Sequence, residues 1–272
     1  MTMPRILLFD SGMGGLTVAR AVARQIPEAH LIYSADNAGF PYGAWKEKPL
    51  VERIRRVVGA LIDRARPDVV VVACNTASTI AIADLRASFK EPFVGTVPAI
   101  KPAAAQTRSG IIGVLATPGT VNREYTHSLI HTYAYHCKVF LHGAPRLAEI
   151  AEQKLRGHPV NMAELADEVA PVFRKRDGGR TDVVVLGCTH YPLLEEEIAK
   201  VAPWDVTYID PAPAIARRVA DVAEETVLKG DDGNVPAHGT VLLTAARSET
   251  SETLAAYGAM GFPKHEIIDL PV

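Results

Sequence analysis

Short apolar runs alternate along the chain with apolar positions at helical spacing. Residues 5–9 read as a first strand, and beyond the turn DSGMGG, Leu16, Ala19, Ala23 and Ile26 recur at helical intervals until Pro27 stops them. Residues 31–34 form a second short strand and residues 36–49 a polar, proline-rich loop. Ile54, Val57, Val58, Leu61 and Ile62 then mark one face of a second helix. From Val69 to Ala73 the chain is continuously apolar, and such a run between helical patterns predicts a parallel strand buried on both faces. The alternation resumes with strands predicted at 111–115, 138–141, 183–186 and 207–209. A helix is predicted over 162–173, with Asn161 and Glu164 in capping-box spacing. The expected class is α/β, with mainly parallel sheets flanked by helices.

The same patterns contain an internal repeat. DVVVVACNT at 68–76 aligns with DVVVLGCTH at 182–190, so that Asp68 matches Asp182 and Cys74 matches Cys188. A looser match sets ILLFDSGMG at 6–14 beside IIGVLATPG at 111–119. Two related halves account for both matches; chance recurrence of a valine run before a cysteine is the plain alternative. Parallel sheets bind ligands at the carboxyl ends of their strands, so two such halves would turn their strand-end cysteines toward a shared crevice.

At 272 residues the chain is near the size at which one core divides into two. Its 29 Lys and Arg against 31 Asp and Glu leave a net charge of -2, without the basic footprint that nucleic-acid binding needs, so a small-molecule substrate is expected. The three cysteines include no CxxC spacing, which argues against a disulfide framework or a zinc ribbon and for a reducing cytoplasm. The apolar stretch at 6–9 is too short for a signal-peptide core or a membrane span.

Cys74 and Cys188 each end a strand just ahead of a predicted helix, where the helix terminus should lower a thiol pKa toward neutrality. The alternative for either is a small buried hydrophobe. Cys137, with no such turn after it, reads as structural. DSGMGG, with Asp36 downstream at about the distance of a ribose-binding acid, could cradle a nucleotide phosphate, but Thr17 stands where the fingerprint needs its third glycine and Asp10 would repel a pyrophosphate. Asp10 suits a substrate ammonium or a proton relay, or it simply caps a tight turn. Ser11, Asn75, Thr76, Thr189 and the PYG turn at 41–43 offer neutral donors that could hold carboxylates without a buried arginine. His190 could polarise Cys188 or be an ordinary surface histidine. A metal held by Cys74, Cys188 and His190 lacks a fourth ligand, and no metal is expected.

FDSGMGGLTV at 9–18, PYG at 41–43, ACNTAS at 73–78, GVLATPGTV at 113–121, GCTHYPLL at 187–194 and IDPA at 209–212 together resemble the glutamate racemase family of the aspartate/glutamate racemase superfamily. The resemblance implies two pseudo-symmetric domains, 1–97 with 208–272 and 98–207, around an interdomain site. It implies interconversion of L- and D-glutamate without pyridoxal phosphate, metal or other cofactor, supplying D-glutamate for peptidoglycan. Matched by position, Cys74 would take the α-proton of D-glutamate and Cys188 that of L-glutamate. Asp10 would assist Cys74, and His190 and Glu152 would assist Cys188, although Ala144 stands where many relatives carry cysteine. Asp10, Ser11, Tyr42, Gly43, Asn75, Thr76, Thr117, Thr120, Thr189 and His190 would hold the substrate. Inverting a carbon centre calls for removal of a proton on one face and delivery on the other, which two opposed groups do better than one. The residues alone leave open an aspartate racemase, or a non-catalytic protein that binds an amino acid or nucleotide. A homodimer also stays open.

Overall fold

A strand that is apolar at every position must be covered on both faces, and this chain meets that demand twice. The structure is a computed structural model describing residues 3–226, 228, 235–246 and 250–272. Its first run of elements is β1 (Arg5–Asp10), α1 (Leu16–Gln25), β2 (His30–Ala35), α2 (Glu47–Ala65), β3 (Val69–Val72), α3 (Asn75–Ser88) and β4 (Phe93–Gly95). A second run opens with α4 (Ile100–Gln106), β5 (Ile111–Ala116), α5 (Pro118–Val121), α6 (Glu124–Tyr133), β6 (Lys138–Gly143), α7 (Leu147–Leu155) and α8 (Met162–Val169). It continues through β7 (Lys175–Arg176), β8 (Gly179–Arg180), β9 (Val183–Gly187), α9 (Glu195–Val201) and β10 (Thr207–Ile209). Then come α10 (Ala212–Glu225), β11 (Thr240–Leu243), α11 (Thr250–Ala259) and β12 (Lys264–Ile267).

The strands assemble into one sheet ordered β12-β11-β2-β1-β3-β4 and another ordered β10-β9-β5-β6, with every pairing in both parallel. Alternate residues of β1 feed opposite cores. Ile6 and Leu8 pack with α1 and α10, whereas Leu7 and Phe9 pack with α2 and α3. In the second sheet Leu115 joins the core beneath α7 and α8, while Ile112 and Val114 face Ile100 and Ala103 of α4. All four valines of β3 are fully buried, each contributing about 1.5–3 kcal/mol.

The repeat is architectural. Cys74 follows β3, which pairs with β1, and Cys188 follows β9, which pairs with β5. Strand register corrects the looser alignment by one residue. Ile6 pairs with Val69 and Ile112 with Val183, so Ile6 corresponds to Ile112 rather than Ile111. That difference matters because a one-residue slip turns every side chain to the other face. The repeated aspartates do one job twice. Asp68 accepts the Arg5 N–H at 2.7 Å where β1 begins, and Asp182 accepts the Arg108 and Ser109 N–H groups and the Thr107 hydroxyl just ahead of β5.

Other expectations need adjustment. Ala23 is exposed, and Val22 takes the buried position on α1. The helix expected over 162–173 ends at Val169 and passes into a 3₁₀ turn at Ala170–Val172, as Pro171 cannot supply a helical N–H. Asn161 caps it by accepting the Ala163 and Glu164 N–H groups, but the Glu164 carboxylate pairs with Arg146 instead of closing a capping box. β10 pairs in the second sheet, so by strand pairing the chain returns to the first sheet after Ile209 rather than at 208.

Replacing Asp68 with alanine strands the buried Arg5 N–H. Urea denaturation should show a loss of about 1–3 kcal/mol, and an unchanged midpoint would remove this role at the start of β1.

Candidate active site

In each sheet the chain leaves the central strand toward one side and later returns on the other, opening a crevice at the carboxyl ends. Asp10 ends β1, and Cys74 sits one residue before α3. In the other sheet Cys188 follows β9 directly. Both thiols are buried, each only 6% exposed. Cys188 does not share the helix-capping position of Cys74. A 3₁₀ turn at Tyr191–Leu194 intervenes, and α9 begins only at Glu195.

The DSGMGG turn presses against the second sheet's loops. A Cβ on Gly12 would collide with the Glu152 carboxylate, and one on Gly14 with the His190 ring and the Thr189 hydroxyl. The glycines therefore permit a close approach between the halves. The Met13 N–H donates to Glu152 Oε1 at 2.6 Å and the Thr189 hydroxyl to Asp10 Oδ2 at 2.9 Å. Asp36, the candidate ribose acid, is fully buried and spent on Arg53, Tyr42 and Thr244.

On the Cys188 side, His190 Nδ1 lies 3.8 Å from Sγ and Nε2 lies 2.9 Å from Glu152 Oε1. The Gly14 N–H also points at Nε2, at 3.2 Å. One nitrogen cannot donate to a carboxylate and accept an N–H at once, and the ionised carboxylate can only accept, so Nε2 carries the proton. Burial pulls the imidazole pKa down, but Cys188 and Glu152 outweigh it and hold His190 well above its ordinary value. Burial likewise pushes the Glu152 carboxyl up, yet the His190 bond and charge, the Met13 N–H and Arg156 bring it below its usual range.

The Cys74 side is built differently. The Ser11 hydroxyl stands 3.9 Å from Cys74 Sγ and 3.4 Å from Asp10 Oδ1, bridging the two. Burial, the Asp10 charge and Cys188 push the Cys74 thiol far above its ordinary value, against smaller help from the Ala77 N–H and Ser11. This reverses the lowering expected from the helix terminus, because a dipole of about half a charge does not offset complete burial beside a carboxylate. Asp10 itself is raised by burial, against the opposing effects of His190, the Gly12 N–H and Thr189.

Asn75 is 1% exposed, and its Nδ2 finds no hydrogen-bond partner. Such an orphaned buried donor costs free energy unless something else accepts from it. Beside it Thr76, Thr117 and Thr120 form a triangle of hydroxyls with edges of 3.0–3.4 Å that spans the two halves. Gly43 packs on Thr117. The Tyr42 hydroxyl bonds Asp36, so its phenol braces the PYG turn. No sequence signal marked Thr244 or Arg156 as neighbours of these groups. Among the described residues, no three His, Cys, Asp or Glu side chains are grouped to hold a metal.

A family model described as Asp/Glu/Hydantoin racemase matches residues 16–219. Glutamate racemase of Brucella anthropi is 52% identical over 218 residues, covering 80% of this chain and 78% of that protein. The protein of the same name from Bartonella bacilliformis is 53% identical, covering 84% of each. The crystal structure of Escherichia coli glutamate racemase in complex with L-glutamate and the activator UDP-MurNAc-Ala superposes with a TM-score of 0.90 at 40% identity over 98% of both chains.

The raised His190 and lowered Glu152 define a pH window. His190 adds stability that is complete below its unfolded value of about 6.5 and is lost as pH rises through its higher folded value; Glu152 adds stability above about 4.3 that is lost as pH falls through its lower one. The difference in melting temperature between the parent protein and His190→Gln should therefore be widest between about pH 4.3 and 6.5 and should narrow as pH rises through neutrality into alkali. A difference independent of pH would remove the ion pair from the account.

Proposed function

The chain belongs to the Asp/Glu/hydantoin racemase family, and from that premise we propose that it interconverts L- and D-glutamate with Cys74 and Cys188 as the two acid/base groups. The observation that carries this reading is the pair of buried strand-end thiols with unlike partners, Asp10 through Ser11 on one side and His190 with Glu152 on the other. We read two domains, moving the boundary expected at 207/208 to follow β10, which pairs with β9, so that 98–209 form the second and the flanking segments the first.

Cys188, beside the His190 imidazolium, would take the α-proton of L-glutamate, while Cys74, kept as a thiol by burial and Asp10, would protonate the other face. In the reverse direction the roles exchange. A substrate ammonium near Asp10 would offset the charge that raises Cys74, so substrate itself readies that thiol to act as a base. The Asn75 Nδ2 donor, Thr76, Thr189 and the 117–120 turn would hold the carboxylates and stabilise the carbanion as charge moves onto the α-carboxylate. Gly43 would contribute its backbone to the same end, and Tyr42 would act by holding that turn. Relatives at 52–53% identity are named glutamate racemases, which supports glutamate over aspartate. Chemistry run on two thiols needs both reduced, so the reading keeps the protein in the cytoplasm, making D-glutamate for peptidoglycan.

Dialysed, chelator-treated protein should racemise both enantiomers of glutamate faster than those of aspartate. In deuterium oxide, early D-glutamate formed from L-glutamate should carry α-deuterium while remaining L-glutamate keeps protium, and Cys74→Ala or Cys188→Ala should each lower turnover by about 10²–10⁴-fold. Early product retaining protium would point to one base serving both faces and overturn the two-thiol scheme.

A further inference from the structure

Arg156 lies just past the end of α7 and grips two elements at once. Its Nη2 donates to Glu152 Oε2 at 3.1 Å and its Nε donates to Thr253 Oγ1 on α11 at 3.2 Å. Glu152 Oε1 is already occupied by His190 and the Met13 N–H. Arg156 is thus the partner of the other oxygen of a carboxylate whose side chain is only 5% exposed. An i,i+4 ion pair on a helix surface is usually a solvated and weak contact. Here the carboxylate is buried, and the same guanidinium reaches a residue 97 positions away.

α11 is built into the core of the first sheet through Ala256 and Tyr257. The Tyr257 ring packs on Tyr33 with centroids 5.7 Å apart, and the Tyr33 hydroxyl donates to the Gly12 carbonyl at 2.7 Å. The helix therefore reaches the crevice by two routes: through aromatic rings to the glycine turn on the Asp10 side, and through Arg156 to Glu152 on the Cys188 side. One residue-pair further along, His158 Nε2 stands 3.6 Å from Glu252 Oε2, an exposed contact between the same two elements.

Resting on the racemase reading, we propose that Arg156 is a positioning residue for Cys188: bracing itself on Thr253, it fixes the Glu152 carboxylate, and through it His190, relative to the first sheet. A glutamate held at one oxygen can still swing about its side-chain torsions, carrying His190 with it. A guanidinium shared between two elements removes that freedom, which a single-point ammonium does less well.

The test uses the full chain with Arg156→Met and Arg156→Lys, followed by two readouts. The first is the titration of the Glu152 carboxyl by carbon-13 resonance, assigned from its loss in Glu152→Gln. In Arg156→Met the charge that helps His190 and the Met13 N–H lower this carboxyl is gone, so it should titrate at higher pH; Arg156→Lys, keeping the charge, should restore most of the difference. The second readout is turnover of α-deuterated glutamate. Arg156→Met should lower kcat by about 10- to 100-fold with KM little changed. Its isotope effect should rise for L-glutamate, from which Cys188 takes the proton, and should not rise for D-glutamate. A methionine variant with the parent's Glu152 titration and the parent's isotope effects, differing only in melting temperature, overturns the proposal. Parent protein inert on both enantiomers would instead overturn the racemase reading, and the Glu152 titration would still decide whether Arg156 holds that carboxylate.

Discussion

Two carboxylates, an imidazole and two thiols share one buried crevice, and such a cluster survives only if its members satisfy one another. A buried charge without a partner costs several kcal/mol, so Asp10 depends on Thr189 and Gly12, and Glu152 on His190, Met13 and Arg156. Two of these contacts, Thr189 to Asp10 and Met13 to Glu152, cross between the halves. These two neutralising contacts therefore also join the halves, and the bare glycines of the DSGMGG turn are what let the surfaces come close enough to make them.

The pseudo-symmetry of the strands does not extend to these partners. On one side a hydroxyl stands between thiol and carboxylate; on the other an imidazole does. A hydroxyl passes a proton without holding charge near neutrality, whereas an imidazole can carry one. On the two-thiol reading, the two faces of one substrate carbon are served by groups alike in type and unlike in environment, and the Asp10 charge that helps raise Cys74 belongs to that difference.

Much of this was legible in the sequence because it lay in local pattern. Valine runs mark double-sided strands whatever surrounds them, and the matched positions of Cys74 and Cys188 survive as equivalent strand ends. What local pattern could not supply was burial at a distance. The Cys74 pKa departs from the local pattern because the helix terminus is visible at 75–78 while the enclosing walls and the Asp10 charge come from elsewhere. The three-residue β4 and the strands β11 and β12, one of them mostly exposed, are too short or too polar to stand out. Asp36 stands at the distance of a ribose-binding acid in the rival nucleotide reading, and nothing nearby in sequence announces that Arg53 and Thr244 consume it.

The pairing of β2 with β11 has a consequence for how the chain is made. Ile32 lies opposite Thr240, so one edge of β2 waits for a strand about 200 residues downstream, roughly 10–40 s at ribosomal speeds of about 5–20 residues per second. During that interval the whole intervening sheet can form, while the open edge of β2 offers unpaired peptide groups to any neighbouring chain. The polypeptide must therefore be guarded at its beginning until its end arrives, and crowding on polysomes bears most heavily on the half that emerges first.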